Sequence, residues 1–180
     1  ESLDACAAAI LNISEDHMDR YVDLNDYTAA KTKVYHGTGT LIVNLDDDRV
    51  MATVNLLNKG RKLLGFTADE PKENQFGICV RNNETFLCYG NDLLLAASEL
   101  KIKGQHNIVN ALAALALGKE ANIPLDAMLT GLKKFPGLPH RSQWITEKNG
   151  VAWYNDSKAT NVGAAIAAIK GTQANNIILI

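Results

Sequence analysis

The sequence predicts an α/β fold: a mostly parallel sheet flanked by helices, with a small antiparallel β element attached. Three observations lead there. As far as Thr67, short apolar runs alternate with helix-length segments, the rhythm of crossover units. That rhythm then gives way to two β-rich runs separated by Asn82-Asn83, which read as a hairpin. Near the end, Val151 to Tyr154 run into a polar turn and an Ala-rich helix, so a strand feeds a helix N-terminus once more.

Taken in order, Ala8 to Ile13 is a short apolar strand. Asp26 to Tyr35 is a helix with Asn25 or Asp26 as its cap, because both types accept from unpaired first-turn N–H groups. Thr40 to Leu45 is the second strand, Asp48 to Asn58 a helix, and Lys62 to Thr67 a third strand. The hairpin pairs Gly77 to Arg81 with Thr85 to Tyr89. From His106 to Ala121, Val109, Leu112, Ala113, Ala116 and Leu117 recur at helical spacing, with Gly118 a tolerated interruption. A helix starting at Pro124 reaches about Phe135. Phe135 to Leu138 and Pro139 then hold two prolines and a glycine, which continue neither helix nor central strand, so a domain boundary falls there: 1–137 and 138–180. Beyond it come strands at Gln143 to Thr146 and Val151 to Tyr154, a helix from Val162 to about Ile169, and Asn176 to Ile180 as a buried last strand. The start at Glu1 and that abrupt apolar end give the expectation of a piece of a longer protein.

Composition excludes several classes of function. A chain of 180 residues, 47% hydrophobic and 21% charged, is ordinary for a globular protein with a real core. A net charge of −2 offers no basic field for nucleic acid or an acidic membrane surface, and no apolar run approaches the ~20 residues that cross a bilayer. Cys6, Cys79 and Cys88 are odd in number and widely spaced, which argues against a disulfide framework or zinc knuckle and fits a reducing cytoplasm.

Five groups of residues carry candidate chemistry. Glu15, Asp16, His17 and Asp19 leave the carboxyl end of a parallel strand, where ligands of open α/β sheets sit; they suit a divalent cation, or simply start a helix. Lys31 lies on the following helix, and composition offers no reason to prefer it to Lys33. Asn107 and Asn110, three apart, share a helix face and could hold a planar heterocycle with their amides; alternatively Asn107 is a cap. Leu138-Pro139-His140-Arg141 delivers an arginine at the domain boundary, suited to phosphate or merely solvated. In Asn155-Asp156-Ser157-Lys158-Ala159-Thr160-Asn161, the first-turn N–H groups and the helix dipole favour an anion, with Asp156 and Lys158 beside it, and four polar residue types exceed what capping needs.

In this order and spacing, residues 10–20, Lys31, Gly104 to Asn110, Leu138 to Arg141 and Asn155 to Asn161 resemble the Mur ligase family, ATP-dependent amide-forming enzymes of bacterial cell-wall synthesis. The resemblance covers essentially the whole chain. Leu11 to Tyr21 and Asn155 to Asn161 are most similar to the branch that joins UDP-N-acetylmuramoyl-L-alanine to D-glutamate. Runners-up are a folylpolyglutamate synthetase-like ligase and a non-catalytic nucleotide-binding domain.

The resemblance implies a central ATP-binding domain over 1–137, without its phosphate-loop part, and the start of a Rossmann-like, amino-acid-binding domain over 138–180. It makes His17 and Lys31 catalytic and magnesium-binding, Lys31 as a carbamate. Asn107, Asn110, Arg141 and Asp156 become the ATP-binding residues. Lys158 is catalytic, facing the phosphate, and Ser157, Thr160 and Asn161 bind substrate. It implies a cytoplasmic, monomeric full-length enzyme. A Gly-x-x-Gly-Lys-Ser/Thr loop is missing, since Gly37-Thr38-Gly39-Thr40 has no lysine after it and reads as a plain turn. The expectation is therefore that this polypeptide alone is inactive.

Overall fold

The computed structural model describes residues 4–15, 18–58, 60–160, 162–172, 174 and 176–180. Strands β1 (Ala7–Ile10), β2 (Thr40–Asn44) and β3 (Leu63–Phe66) run parallel in sequence order. They are linked by α1 (Leu24–Thr32), which tightens into a 3-10 turn over Lys33–Tyr35, and by α2 (Asp48–Leu57). β4 (Phe76–Arg81) joins β3 in parallel through one register pair, Phe66 opposite Phe76. β5 (Glu84–Tyr89) and β6 (Asp92–Ala96) then continue the same sheet antiparallel, giving the order β1-β2-β3-β4-β5-β6. The antiparallel element therefore extends the parallel sheet.

Residues of β2 alternate between two cores, as the two-residue period of a strand dictates. Leu41 and Val43 join Ala8, Ile10, Tyr35, Val50 and Val54 on the side of α1 and α2. Ile42 joins Leu64, Phe66, Phe76 and Leu87 on the side of α3 (Gln105–Glu120). All five residues of β2 are buried, as expected where helices cover both faces of a parallel sheet. Helix α3 is buried along Ala111, Leu112, Ala113, Leu115, Ala116 and Gly118, because α4 (Leu125–Lys134) packs outside it through Met128, Leu129 and Leu132. Gly118 makes that approach possible: a Cβ there would lie 2.3 Å from Met128 Sδ.

The boundaries follow local chemistry. Asp23, not Asn25 or Asp26, caps α1, accepting from the Asn25 and Asp26 N–H groups at 2.8 Å each. Asp47 caps α2. Tyr35 closes the core where β1 and β2 meet, its hydroxyl accepting from Ile10 N–H and donating to the Ile42 carbonyl. Burial pushes the Tyr35 phenol up to about 12, although the Ile10 hydrogen bond and the Arg61 charge pull the other way. Arg61 in turn donates to the carbonyls of Tyr35 and Gly39.

A second, two-stranded sheet pairs β7 (Gln143–Lys148) antiparallel with β8 (Val151–Asn155), and α5 (Val162–Gly171) follows. Two expectations need correction. Asn176 to Ile180 form no strand, and Ile178, Leu179 and Ile180 are 85%, 75% and 99% exposed, because no neighbouring strand offers them a ladder. Cys79 and Cys88 pair as a disulfide inside the hairpin, Cα atoms 6.2 Å apart, since the β4–β5 register turns a separation of nine residues into a diagonal neighbourhood. Cys6 is free and exposed. Among the described residues no helix is long and apolar enough to cross a membrane.

Candidate functional site

The carboxyl ends of the parallel strands are sewn together by side chains. The Asn44 amide donates to the Leu11 carbonyl at 2.7 Å, tying the exit of β1 to β2. Asp47, besides capping α2, accepts from Ile13 N–H at 2.9 Å. Asp46 accepts from the Thr67 hydroxyl and Ala68 N–H beyond β3. The Asp46 and Asp47 carboxylates are thus committed to backbone N–H groups and the Thr67 hydroxyl, which makes these two residues organisers of this edge.

Lys31 on α1 reaches the same edge. Its Nζ donates to the Asn12 carbonyl at 3.4 Å and lies 4.9 Å from the Tyr27 ring centroid. Asp16 and His17 lie outside the described residues, so the imidazole expected beside Lys31 has no described position. Among the described residues no group of three or more His, Cys, Asp or Glu could hold a metal ion. The donor chemistry of Lys31 still fits a magnesium role in one form: its ammonium is itself a cation, whereas a carbamate on Nζ would present hard oxygens at the strand ends.

Helix α3 brings the asparagines to this edge. At its C-terminus, Glu120 accepts from the Thr40 hydroxyl at 2.6 Å and from Lys62 Nζ at 2.7 Å, at the amino ends of β2 and β3. Burial raises the Glu120 carboxyl, but the hydrogen bonds from Lys62 and Thr40 and the charges of Lys62 and Lys119 outweigh it and hold the pKa below its ordinary value. Sixteen residues at 1.5 Å each span about 24 Å, so the N-terminus of α3 points toward the carboxyl ends of the strands. The helix starts at Gln105 behind Gly104 (φ +94°), so Asn107 is not its cap. Instead the Asn107 amide donates back to the Lys103 carbonyl at 2.7 Å, and Asn110, one turn on, is exposed.

The turn before β7 and the turn after β8 are stitched into one unit. Asp156 Oδ1 accepts from Ser142 N–H at 2.9 Å. Lys158 N–H donates to the His140 carbonyl at 3.1 Å, and the Asn155 amide meets His140 Nδ1 at 2.9 Å. His140 and Ser142 adopt φ of +64° and +44°, the bend that lets the 138–142 chain double back. Arg141, Asp156, Ser157, Lys158 and Thr160 thus share one surface, and no described residue pairs with the Arg141 guanidinium or the Lys158 ammonium. Asn161 lies outside the described residues.

A residue not singled out from the sequence joins these parts. His106, in the first turn of α3, feels the Asp156 charge; burial lowers its pKa and Asp156 partly offsets the fall. His106 therefore places the first turn of α3 within electrostatic reach of Asp156, while no described contact links Asn107, Asn110 or the stitched turns to Lys31.

Comparison with known proteins agrees with this architecture. A family model described as Mur ligase middle domain matches residues 1–118. UDP-N-acetylmuramoylalanine--D-glutamate ligase from Nitrosococcus oceani is 52% identical over 170 residues, 94% of this chain and 37% of that protein. The chain thus spans little more than a third of the length of the curated relatives it matches. Among solved structures, MurF from Acinetobacter baumannii superposes with a TM-score of 0.71 at 22% identity, over 89% of this chain and 36% of that one. FPGS from L. casei superposes at 0.65 and 15% identity, over 92% and 41%. At such identities these likenesses speak of fold alone. The matched middle-domain residues hold the whole six-stranded sheet and nearly all of α3, and with them this chain belongs to the Mur ligase family.

Proposed function

We propose that the protein containing this chain is an ATP-dependent ligase that joins UDP-N-acetylmuramoyl-L-alanine to D-glutamate in peptidoglycan synthesis. The observation that carries the choice of substrates is the 52% identity to a relative of that name. The fold likeness to FPGS is shared with Mur ligases and favours neither. In this reading residues 1–137 are the ATP-binding domain, 138–180 begin the amino-acid-binding domain, and the enzyme works as a cytoplasmic monomer.

The reaction joins anions, which is why cations without partners among the described residues matter. A carboxylate oxygen attacks the γ-phosphorus of ATP, an O–P bond forms, and ADP leaves. The amine of D-glutamate then attacks the acyl carbon, loses a proton and expels phosphate. Arg141 and Lys158, without described partners, are free to offset phosphate charge, and Asp156 holds a carboxylate oxygen for the nucleotide while its other oxygen takes Ser142 N–H. Asn107 and Asn110 face the adenine. Ser157, Thr160 and Asn161 bind the incoming substrates. His17 and carbamylated Lys31 would hold magnesium, which when bound supplies charge stabilisation for the transferring phosphoryl group.

The test uses the full-length protein with ATP, magnesium, the uridine nucleotide and labelled D-glutamate. The expected result is labelled amide product with ADP and phosphate in equal amounts. Glutamate added to a folate substrate instead would favour the folylpolyglutamate reading. ATP binding without either product would favour a non-catalytic domain.

A further inference from the structure

The side-chain orientation of Asn155 is settled by the backbone that follows it. Ser157 N–H can only donate, so the Asn155 atom 3.0 Å from it is the carbonyl oxygen Oδ1. The other end of that amide is then the nitrogen, which also can only donate, and it lies 2.9 Å from His140 Nδ1. Nδ1 is therefore the acceptor, which an imidazole offers there only when it is neutral and carries its proton on Nε2. One backbone N–H thus dictates, through one amide, the tautomer of a histidine in another turn.

The polar atoms of His140 other than Nε2 are all spent on this junction. Its N–H donates to Gln143 Oε1 at 3.0 Å, its carbonyl accepts from Lys158 N–H at 3.1 Å, and its Nδ1 takes the Asn155 amide. His140 (φ +64°) and Ser142 (φ +44°) sit in left-handed backbone on either side of Arg141. Such backbone is disfavoured for residues that carry a Cβ and persists where surrounding contacts over-determine it. Here those contacts are the bonds just named and the bond from Ser142 N–H to Asp156. Without the Nδ1 acceptor, the bend that carries Arg141 loses one of its ties to the turn after β8.

We propose that His140, as the neutral Nε2–H tautomer, is a positioning residue: through Nδ1 it fixes the turn carrying Arg141 against the turn carrying Asp156 and Lys158. Both cations then stand at a set spacing before the nucleotide phosphates arrive, which lowers the ordering cost of binding. The proposal deepens the reading of Arg141, Asp156 and Lys158 as residues that meet the nucleotide, and rests on it.

The full-length protein is compared with His140→Asn, His140→Gln and His140→Gly. Asn sets an acceptor where Nδ1 stands, Gln reaches instead to the place of Nε2 with a donor, and Gly accepts the left-handed backbone while offering neither. Imidazole nitrogen NMR shifts in mildly alkaline buffer, assigned by the signal lost in the variants, should show a bare Nδ1 and a protonated Nε2. Asn155→Asp, which replaces the donor by an acceptor, should move the proton to Nδ1. In calorimetric titration, His140→Gly and His140→Gln should bind ATP about tenfold more weakly, the size of one lost hydrogen bond, and His140→Asn should stay within about threefold. If His140→Gln does not fold, Asn against Gly decides. Gln binding better than Asn would make His140 a direct ligand through Nε2, and Gly equal to Asn would leave only the backbone bend as the requirement; either result overturns the proposal. A protonated Nδ1 in the unsubstituted protein overturns it as well. Absence of ATP binding by the unsubstituted protein, with the tautomer as expected, overturns the nucleotide reading and the role of His140 in it, and locates the failure in that reading.

Discussion

Lys31 Nζ donates to the Asn12 carbonyl, 3.4 Å away, so a helix lysine is anchored over the exit of the first strand. Replacing Lys31 by alanine in the full-length enzyme should lower kcat by roughly a hundred- to a thousandfold, the weight of several kcal/mol of charge stabilisation. Bicarbonate with a short-chain carboxylic acid should restore part of the rate by supplying the missing oxygens. Full activity of the alanine variant would take Lys31 out of the metal site.

Asp156 has a structural duty as well as a proposed ligand. Asp156→Ala leaves Ser142 N–H without its acceptor and should weaken ATP binding about tenfold in a calorimetric titration. Unchanged affinity would mean that the carboxylate serves only the turn.

Glu120 offers a pH-dependent test. Its side chain is 9% exposed, and its pKa is held below the ordinary 4.5. A carboxyl lowered on folding contributes stability that is full above its unfolded pKa and is lost as pH falls through the folded value. Glu120→Gln should cost about 1–2 kcal/mol at pH 7, modest because Lys62 is 65% exposed and screened. Urea midpoints of the two proteins should converge below pH 4.5. A gap that is constant with pH would mean the charge contributes nothing.

Two glycines should respond differently to alanine. A Cβ at Gly39 would lie 2.0 Å from the Ala5 carbonyl oxygen and 2.5 Å from that of Cys6, both backbone. At Gly65 the nearest atom is Leu45 Cδ1 at 2.7 Å, the end of a flexible side chain. Gly39→Ala should therefore cost about 3 kcal/mol and Gly65→Ala about 1 kcal/mol in chemical denaturation, and equal losses would contradict the contact geometry.

Much of the parallel half was legible because it is governed by short-range rules. Residue patterning locates β2, α2 and β3 within a residue at each end, whereas β1 ends at Ile10, three residues before the expected Ile13, and the apolar repeat locates α3. β6 has no counterpart in the sequence reading although Leu93 to Ala96 are apolar, because the turn formers Gly90, Asn91 and Asp92 stand directly before them. Asn176 to Ile180 read as a strand by composition, yet a strand exists only with a partner. Gly118 passed for a flaw in a helix because its reason, Met128 of α4, lies on another element. The turns at 138–142 and 155–160 were recognisable as chemistry, but their mutual stitching needs His140 and Ser142 in left-handed backbone, which no residue type announces. His106 was hidden for the same reason: its ring lies against Gly171, far along the chain.

Phe66 opposite Phe76 is the one register pair between β3 and β4. The sheet therefore has a narrow waist, with a half built from distant segments on one side and a half built from adjacent ones on the other. The β4–β6 meander closes only short loops and should acquire protected amides early in refolding, whereas β1–β3 must await their helices. Heating or denaturant should divide hydrogen exchange into two cooperative blocks that part at that waist.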